Sequence, residues 1–224
     1  MIYNRPRPNT GGIKEVFSEN KWKDIILACQ TKQVPSTWKV GDSCVMAFGK
    51  KNYQIDIIGK NHDDYADGSG KAPLTFQMHT TYATQYKMNG GAYNDCGWKN
   101  CLVRTSNAFP ALKKVMPAEV VAALKAVTKK TTAGGASSAI DTTEDTLFLL
   151  SEIEVQGTRT FSYAGEGTQY EYYKTEANRK KNRAWYLRSP RLNSTSCFDR
   201  TGWSGEADWS VASEVDGIAA AWCF

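Results

Sequence analysis

The last forty residues of the chain combine a hydrophobic frame with a polar filling, and this combination constrains the fold more than any other feature. Gly202, Gly205 and Gly217 punctuate the segment, and clusters of unlike polar and aromatic residues stand between the frame positions. Apolar residues that recur in a polar segment are those that a core retains. The segment therefore predicts a scaffold that carries a binding surface. The frame consists of Trp185, Leu187, Phe198, Ala207, Ala212, Ile218, Ala219, Trp222 and Phe224.

Catalysis is not expected from this segment, because it contains no His, no Lys and no nucleophile paired with a base. We therefore predict a binding protein that is not an enzyme and uses neither a cofactor nor a metal. The alternative is a sugar or calcium site built from the acidic residues of the segment. These are Asp199, Glu206, Asp208, Glu214 and Asp216.

Length and charge limit the other classes of function. A chain of 224 residues is long enough for one large domain with a substantial core. The net charge of +5 is mild and is spread along the chain, which argues against a dedicated nucleic-acid binder. No stretch approaches the ~20 apolar residues that a membrane span needs, and the first residues lack the apolar run of a signal peptide. We expect synthesis in a cytoplasm and no membrane insertion.

Six cysteines are few for a chain of this length, so we expect mostly buried thiols. Cys96 and Cys101 lie close in sequence, but with only two His in the chain they predict a local disulfide more readily than a zinc site. Asp63, Asp67 and Gly68 partly match a calcium-binding loop. Tyr65 and Leu74 stand where oxygen ligands are needed, so we favour a turn held by hydrogen bonds.

Residues 1–20 are rich in Pro, Gly and Asn, which predicts an arm or linker, and residues 21–224 are predicted to form one domain. The pattern of apolar residues predicts the elements of this domain. Within the domain it predicts a short helix at 22–30 capped by Ser18 or Asn20, a β-hairpin around the turn at 49–52, and a loop followed by a strand that ends at Met78. We therefore predict an α+β domain of mostly antiparallel strands, with two or more helices and long irregular loops.

The middle of the chain is less regular. Residues 106–130 have the spacing of two helices separated at Pro117, and 131–143 have the composition of an exposed polar loop. A short buried strand or turn follows, and then a polar, tyrosine-rich insertion. In that insertion the basic run 179–183 is interpreted as a solvated loop. Arg188 is expected to reach a buried acidic or carbonyl partner, and Pro190 to end its strand.

Two motifs in the chain are specific, LFLLSE at 147–152 and WYLRSP at 185–190. Together with several others, they resemble a domain of phage and bacterial surface proteins that belongs to the C-type lectin-like superfamily. The fold of that superfamily is akin to that of formylglycine-generating enzymes. The resemblance runs from about Trp38 to the end of the chain, and these two motifs are its most specific part. It implies a C-type lectin-like fold. The other motifs are those at 55–78, 90–95, 108–116 and 166–174.

The final segment resembles the variable region of proteins diversified by retroelements, in which a reverse transcriptase mutates adenines in the codons of surface positions. The resemblance implies a variable region at about 185–224, with fixed positions that include Gly205, Gly217 and Trp222. Glu and Trp are not reached from an Asn codon by changing its adenines. The implied variable, ligand-binding slots are Asn193, Ser194, Thr195, Ser196, Cys197, Asp199, Arg200, Thr201, Trp203, Ser204, Glu206, Asp208, Trp209, Ser210, Val211, Glu214 and Asp216.

This resemblance implies a receptor-binding or tail-associated phage protein that is made in the host cytoplasm and carried on the virion. Its expected partner is a protein or glycan receptor on a bacterial surface, with other virion proteins reached through the arm at 1–20. The alternative is a bacterial surface adhesin of the same fold. A formylglycine-generating type of oxidase would need a copper-binding cysteine pair, for which Cys197 and Cys223 are the candidates in the final segment. No oligomeric state is implied.

Overall fold

A computed structural model describes residues 12–224, which form three antiparallel sheets and several short helices. The predicted α+β class is confirmed. In the first sheet the order is β1-β2-β3-β9, so the end of the chain pairs with a strand that is more than a hundred residues away in sequence. The predicted hairpin and the strand ending at Met78 are confirmed. The strands of this sheet are β1 (Ser43–Phe48), β2 (Lys51–Lys60), β3 (Leu74–Met78) and β9 (Ala221–Cys223).

The core lies against this sheet and draws on both ends of the described chain. Phe76 of β3 pairs with Trp222 of β9, and Phe224 and Phe17 each pack an aromatic ring on Phe76. The Tyr65 hydroxyl donates a hydrogen bond to the carbonyl oxygen of Phe224 at 2.5 Å. Burial of large aromatic side chains is a dominant source of stability, so the final residues are part of the core.

The helices are short and surround the sheets. The predicted helix at 22–30 is confirmed, but neither predicted cap holds it: Lys21 occupies the cap position and Asn20 bonds to the backbone of residues 14–17. The two helices predicted after residue 106 are also present. In chain order the helices are α1 (Trp22–Gln30), α2 (Gly97–Asn100), α3 (Leu102–Thr105), α4 (Ala108–Val115), α5 (Ala118–Ala123) and α6 (Glu152–Gln156).

Residues 127–145 form a hairpin of two strands, β4 (Val127–Gly134) and β5 (Ser137–Asp145), where the sequence predicted the end of a helix and an exposed loop. That prediction is wrong. The threonine-rich run suits a strand, because β-branched side chains pack well on a pleated surface. Gly135 and Ala136 both have positive φ values, as the tight turn of such a hairpin requires.

The third sheet has the order β6-β7-β8 and contains most of the C-terminal segment. Its strands are β6 (Trp185–Pro190), β7 (Cys197–Thr201) and β8 (Ala207–Val211). Every residue of β6 is buried, and the strand ends at Pro190 as predicted. All frame residues are buried except Ala207, which is half-buried.

A buried network of charged side chains joins the sheets at β6. The Arg188 guanidinium donates to both carboxylate oxygens of Glu154, at 2.5 and 3.0 Å, and to the carbonyl oxygens of Leu149 and Glu166. This confirms the prediction of a buried partner for Arg188. On the other side of Glu154, the Lys129 ammonium donates to Glu154 at 3.1 Å and to Asp63.

The tyrosine-rich insertion at 161–184 belongs to the core more than its composition predicts. Tyr170 and Tyr173 are fully buried; Tyr173 lies within the short 3-10 helix Glu171–Lys174, and Tyr170 directly precedes it. The basic run at 179–183 is not simply a solvated loop, because Lys181 is 7% exposed and donates to the carbonyl oxygens of Met78 and His79. This run therefore ties the insertion to the first sheet.

Of the arm predicted at 1–20, residues 1–11 lie outside the described residues. Residues 12–20 pack on the domain, where Phe17 is buried against Trp38 in an edge-to-face contact with ring centroids 5.0 Å apart. Among the described residues, the helices are all too short or too polar to cross a membrane.

The two tryptophans Trp222 and Trp203 provide a matched test of this fold. We expect Trp222→Ala to lower the free energy of unfolding by ~3–5 kcal/mol, because the ring is fully buried between β3 and β1 side chains. Trp203→Ala should change it by less than ~0.5 kcal/mol, because Trp203 is 66% exposed. Urea unfolding followed by circular dichroism measures both; equal losses would contradict the fold.

Candidate ligand-binding surface

The seventeen predicted slots lie on one hairpin, β7–β8, and on the two loops that flank it. Twelve of them are exposed or half-buried. Alternate residues of a strand point to opposite faces of its sheet, so the slots within β7 and β8 divide between two faces. One face contains Cys197, Asp199, Thr201 and their cross-strand partners Val211, Trp209 and Ala207. The other contains Arg200, Asp208 and Ser210.

The loop between β6 and β7 presents four slots above the sheet. Asn193 and Thr195 are exposed, whereas Ser194 and Ser196 are half-buried. Asn94 holds this loop from below: its side-chain amide donates to the carbonyl oxygens of Ser194 at 3.0 Å and Cys197 at 2.7 Å. Asn94 is fully buried and lies in the motif at 90–95. The loop therefore has a rigid base and a free outer side.

The turn between β7 and β8 presents three exposed slots, Trp203, Ser204 and Glu206. Trp203 is 66% exposed, and the Ser204 hydroxyl and amide both donate to the Glu206 carboxylate, at 2.5 and 2.9 Å. Gly205 has a φ of +98°, a conformation that an L side chain rarely adopts, and packs against Arg179. Hydrogen bonding to Ser204 lowers the pKa of Glu206. The turn therefore keeps a defined shape at the tip of the sheet.

Three slots are coupled by ion pairs. The Arg200 guanidinium donates to Asp208 at 2.7 and 2.8 Å and to Asp216 at 2.8 Å. These side chains are not independent, since replacing Arg200 would leave the buried Asp216 carboxylate without this partner. Exchange at one of these positions therefore affects the other two.

Five of the predicted surface slots are buried, and their assignment to an exposed surface is wrong. The inward face of the β7–β8 hairpin packs on the domain, which buries the side chains of β7 on that face, and Ser210 and Asp216 are covered from the opposite face. Burial leaves no room for free exchange of side chains, because interiors are close-packed. The five buried slots are Cys197, Asp199, Thr201, Ser210 and Asp216.

Asp199 is the most unusual of these residues. It is fully buried, and neither of its carboxylate oxygens has a hydrogen-bond partner among the described residues. Burial, with added repulsion from Glu152 and Glu166, raises the pKa of Asp199 well above its usual range. The Thr201 hydroxyl, two positions along β7 on the same face, also lacks a partner among residues 12–224. Burial therefore favours the protonated form of Asp199 more than it does for an exposed aspartate.

A cleft of about 640 Å³ opens on the face of the sheet that carries Asp199. One wall comes from residues that the sequence did not predict. The guanidinium carbon of Arg191 lies 4.0 Å from the ring centroid of Trp209 and 5.4 Å from that of Phe161. Trp209 is 37% exposed, whereas all tryptophans of the chain except Trp209 and Trp203 are buried. Side chains lining the cleft include Phe161, Arg191, Ser194, Ser196, Trp209 and Val211.

Phe161 and Arg191 were missed because neither lies in the variable pattern. Arg191 directly follows β6, and Phe161 is thirty residues earlier, in the insertion. The backbone around Phe161 is held by Glu152, whose carboxylate accepts hydrogen bonds from the amides of residues 160–162 at 2.8–3.0 Å. Only the fold brings these residues to Trp209, so no local signal identifies them.

Other candidate sites have simpler explanations. His62, Asp63 and Glu154 have ligand atoms close enough for a metal, but the Lys129 ammonium already lies on both carboxylates. All six cysteines are free thiols, including Cys96 and Cys101, so the local disulfide is not present. Of the two cysteines proposed for copper, Cys197 lies in β7 and Cys223 in β9, in separate sheets.

Asp199→Asn is expected to raise the free energy of unfolding near neutral pH, because Asn needs no proton to enter the buried site. A raised pKa means that the folded state holds this proton more tightly than the unfolded chain does. The original chain therefore loses stability as pH rises above about 4, the usual pKa of Asp. The advantage of the variant should grow over that range, as measured by urea unfolding.

Asp208→Asn is the matched control, because Asp208 is half-exposed and accepts hydrogen bonds from Arg200. It should lower the free energy of unfolding by less than ~1 kcal/mol. A loss of stability in Asp199→Asn that does not depend on pH would show that Asp199 is ionised and paired in the folded protein.

A family model described as a domain of unknown function, DUF6273, matches residues 74–222. That range covers about two thirds of the chain and includes β3, the β4–β5 hairpin, the whole third sheet and the charged network except Asp63. Neither the curated proteins nor the solved structures contain a match to this chain. The chain belongs to the DUF6273 family.

Proposed function

We propose that this protein binds a ligand through a C-terminal surface diversified by a retroelement, on a scaffold of the C-type lectin-like class. One observation carries the proposal: the frame of the last forty residues is buried, while most slots between the frame positions are not. A surface can be exchanged freely only where its side chains make few contacts with the core. Twelve slots are exposed or half-buried, and two of these, Arg200 and Asp208, are coupled to each other by an ion pair.

The scaffold beneath the slots is rigid in ways that do not depend on them. Arg188 holds β6 through Glu154, Asn94 holds the loop before β7, and Gly205 shapes the turn before β8. These three residues lie outside the set of slots. Their contacts would therefore remain when slot side chains change, which favours tolerance of many surface sequences.

The two exposed tryptophans support recognition by this surface. Trp203 and Trp209 are at the turn and on β8, and large aromatic side chains supply much of the binding energy in protein interfaces. Neither is reached from an Asn codon by adenine changes, so we propose that they are fixed anchors among variable neighbours. Avidity from several copies would strengthen a weak individual contact.

The setting that we propose is the tail or surface of a phage, with a protein or glycan receptor on a bacterium as the partner. The rival setting is a bacterial surface adhesin that uses the same surface. Both settings need non-covalent recognition and no catalysis, and both would use the same exposed slots. Genes for tail or capsid proteins next to this gene would favour the phage.

Sequencing of the gene from many independent isolates tests diversification directly. We expect substitutions at adenines in the codons of exposed slots such as Asn193 and Thr195, with a near-identical, adenine-rich template repeat and a reverse transcriptase gene nearby. Codons for Trp185 and Trp222 in the buried frame serve as the internal control and should not vary. Substitutions spread evenly over residues 185–224, or a complete locus without a template, would refute the proposal.

Tolerance of the surface can be measured on the protein. Replacing Asn193, Thr195 and Ser204 together by other polar residues should shift the free energy of unfolding by less than ~1.5 kcal/mol, because each position is exposed. Replacing three buried slots together, Cys197, Thr201 and Ser210, should lower the free energy of unfolding several times more. Thermal unfolding monitored by circular dichroism compares the two variants; similar losses would contradict the division between frame and surface.

A further inference from the structure

The strongest feature without an assigned role is the cleft between the insertion and the third sheet, where Arg191 contacts Phe161 and Trp209. Cation–π contacts hold a guanidinium in place while its N–H groups remain free to donate. Among residues 12–224, no side chain or carbonyl oxygen accepts a hydrogen bond from the Arg191 guanidinium, and no carboxylate forms an ion pair with it. Arg191 therefore offers an oriented set of unused donors.

The charge of Arg191 is not balanced within the cleft. Among the residues that line the described cleft, Arg191 is the only basic one and none is acidic; the other polar groups are hydroxyls, the Asn193 amide, the Cys197 thiol and the Trp209 indole. Asp199 lies beneath, on the same face as Cys197 and Trp209, and neither of its carboxylate oxygens bonds to Arg191 or to any other group among the described residues. Burial raises the pKa of Asp199, although the nearby Arg191 charge opposes that shift. Glu152 is nearby, yet its carboxylate is already bonded to three backbone amides and to the Ser162 hydroxyl.

We propose that this cleft binds a carboxylate group of the ligand, with the Arg191 guanidinium donating hydrogen bonds to both carboxylate oxygens. A planar carboxylate matches the fork of a guanidinium, and such paired, charge-assisted hydrogen bonds are among the strongest in proteins. The source that we favour is an acidic side chain of a protein receptor. Its aliphatic part would lie against Trp209, and the Ser194 and Ser196 hydroxyls stand at the rim for its backbone.

This inference deepens the proposed function and rests on it in one respect. Phe161 and Arg191 lie outside the diversified slots, and Trp209 is not reached from an Asn codon by adenine changes. The three residues that form the carboxylate site would then be common to all variants, while Asn193, Ser194 and Ser196 around it would change. A constant site for one charged group would orient every ligand in the same way and leave selectivity to its neighbours.

Side-chain NMR of the full chain tests the site with small probes. N-acetylglutamate α-amide carries a side-chain carboxylate, and N-acetylglutamine α-amide has the same shape without the charge. At matched ionic strength we expect the acidic probe to produce saturable shifts in the Arg191 Nε–Hε and Trp209 indole signals, and the amide probe to produce none. N-acetylglutamine, with a free α-carboxylate, separates a chain terminus from an acidic side chain as the source, and stronger binding of it would overturn that choice.

Arg200 is the matched control within the same protein, because its guanidinium is already occupied by Asp208 and Asp216. Its Nε–Hε signal should not respond to the probe. Arg191→Gln should weaken binding of the acidic probe at least ~10-fold, since hydrogen bonds to a charged group are lost. Arg191→Lys keeps the charge without the fork and should bind less tightly than the original chain, which keeps the test valid if the Gln variant does not fold.

Equal responses to the acidic and amide probes, or equal responses of Arg191 and Arg200, would overturn the carboxylate site. Unchanged affinity in folded Arg191→Gln would do the same. These results would leave the proposed diversification intact, because that proposal depends on the pattern of substitutions in the gene and not on any small probe. The two failures are therefore distinguishable.

Discussion

The buried contact between Arg188 and Glu154 is the interaction on which the rest of the structure depends. Arg188 is in β6 and Glu154 in α6, and the Arg188 guanidinium also donates to Thr131 in β4. Lys129 extends the network to Asp63 in the loop before β3. Burial alone would raise the pKa of Asp63, but the Lys129 ammonium lowers it to about 2, so both charges persist in the core. Because an unpaired buried charge is costly, the three sheets have to meet with these side chains in register.

This network explains how the C-terminal segment combines a rigid base with an adaptable outer side. β6 is fully buried and joined to the core by Arg188, and β7 pairs with β6 at Trp185–Thr201 and Tyr186–Arg200. The β7–β8 hairpin extends from that base. Tyr186 supports its end through hydrogen bonds from its hydroxyl to the carbonyl oxygens of Val211 and Glu214. These contacts use side chains outside the set of slots and backbone atoms of the hairpin, so they do not depend on which side chains occupy the slots.

Local patterns in the sequence were sufficient to predict an element where its apolar residues follow the period of a strand or a helix. The β1–β2 hairpin and α1 alternate apolar and polar residues with strand and helix periods, and both were predicted. The β4–β5 hairpin was not, because Lys129, Thr131 and Thr132 are polar side chains that are buried only through partners elsewhere in the chain. A polar residue looks the same in a loop and in a satisfied core until its partner is known.

The sequence by itself determined that the last forty residues consist of an apolar frame and a polar filling, because apolar residues that recur within a polar segment are those that a core retains. It also identified the exposed tryptophans as members of the filling. Only the tertiary structure decided which filling residues face solvent, since each face of the β7–β8 hairpin carries both buried and solvent-accessible side chains. It also brought Phe161 and Arg191 to Trp209, which no local pattern encodes, because these residues meet only when the insertion folds over the third sheet.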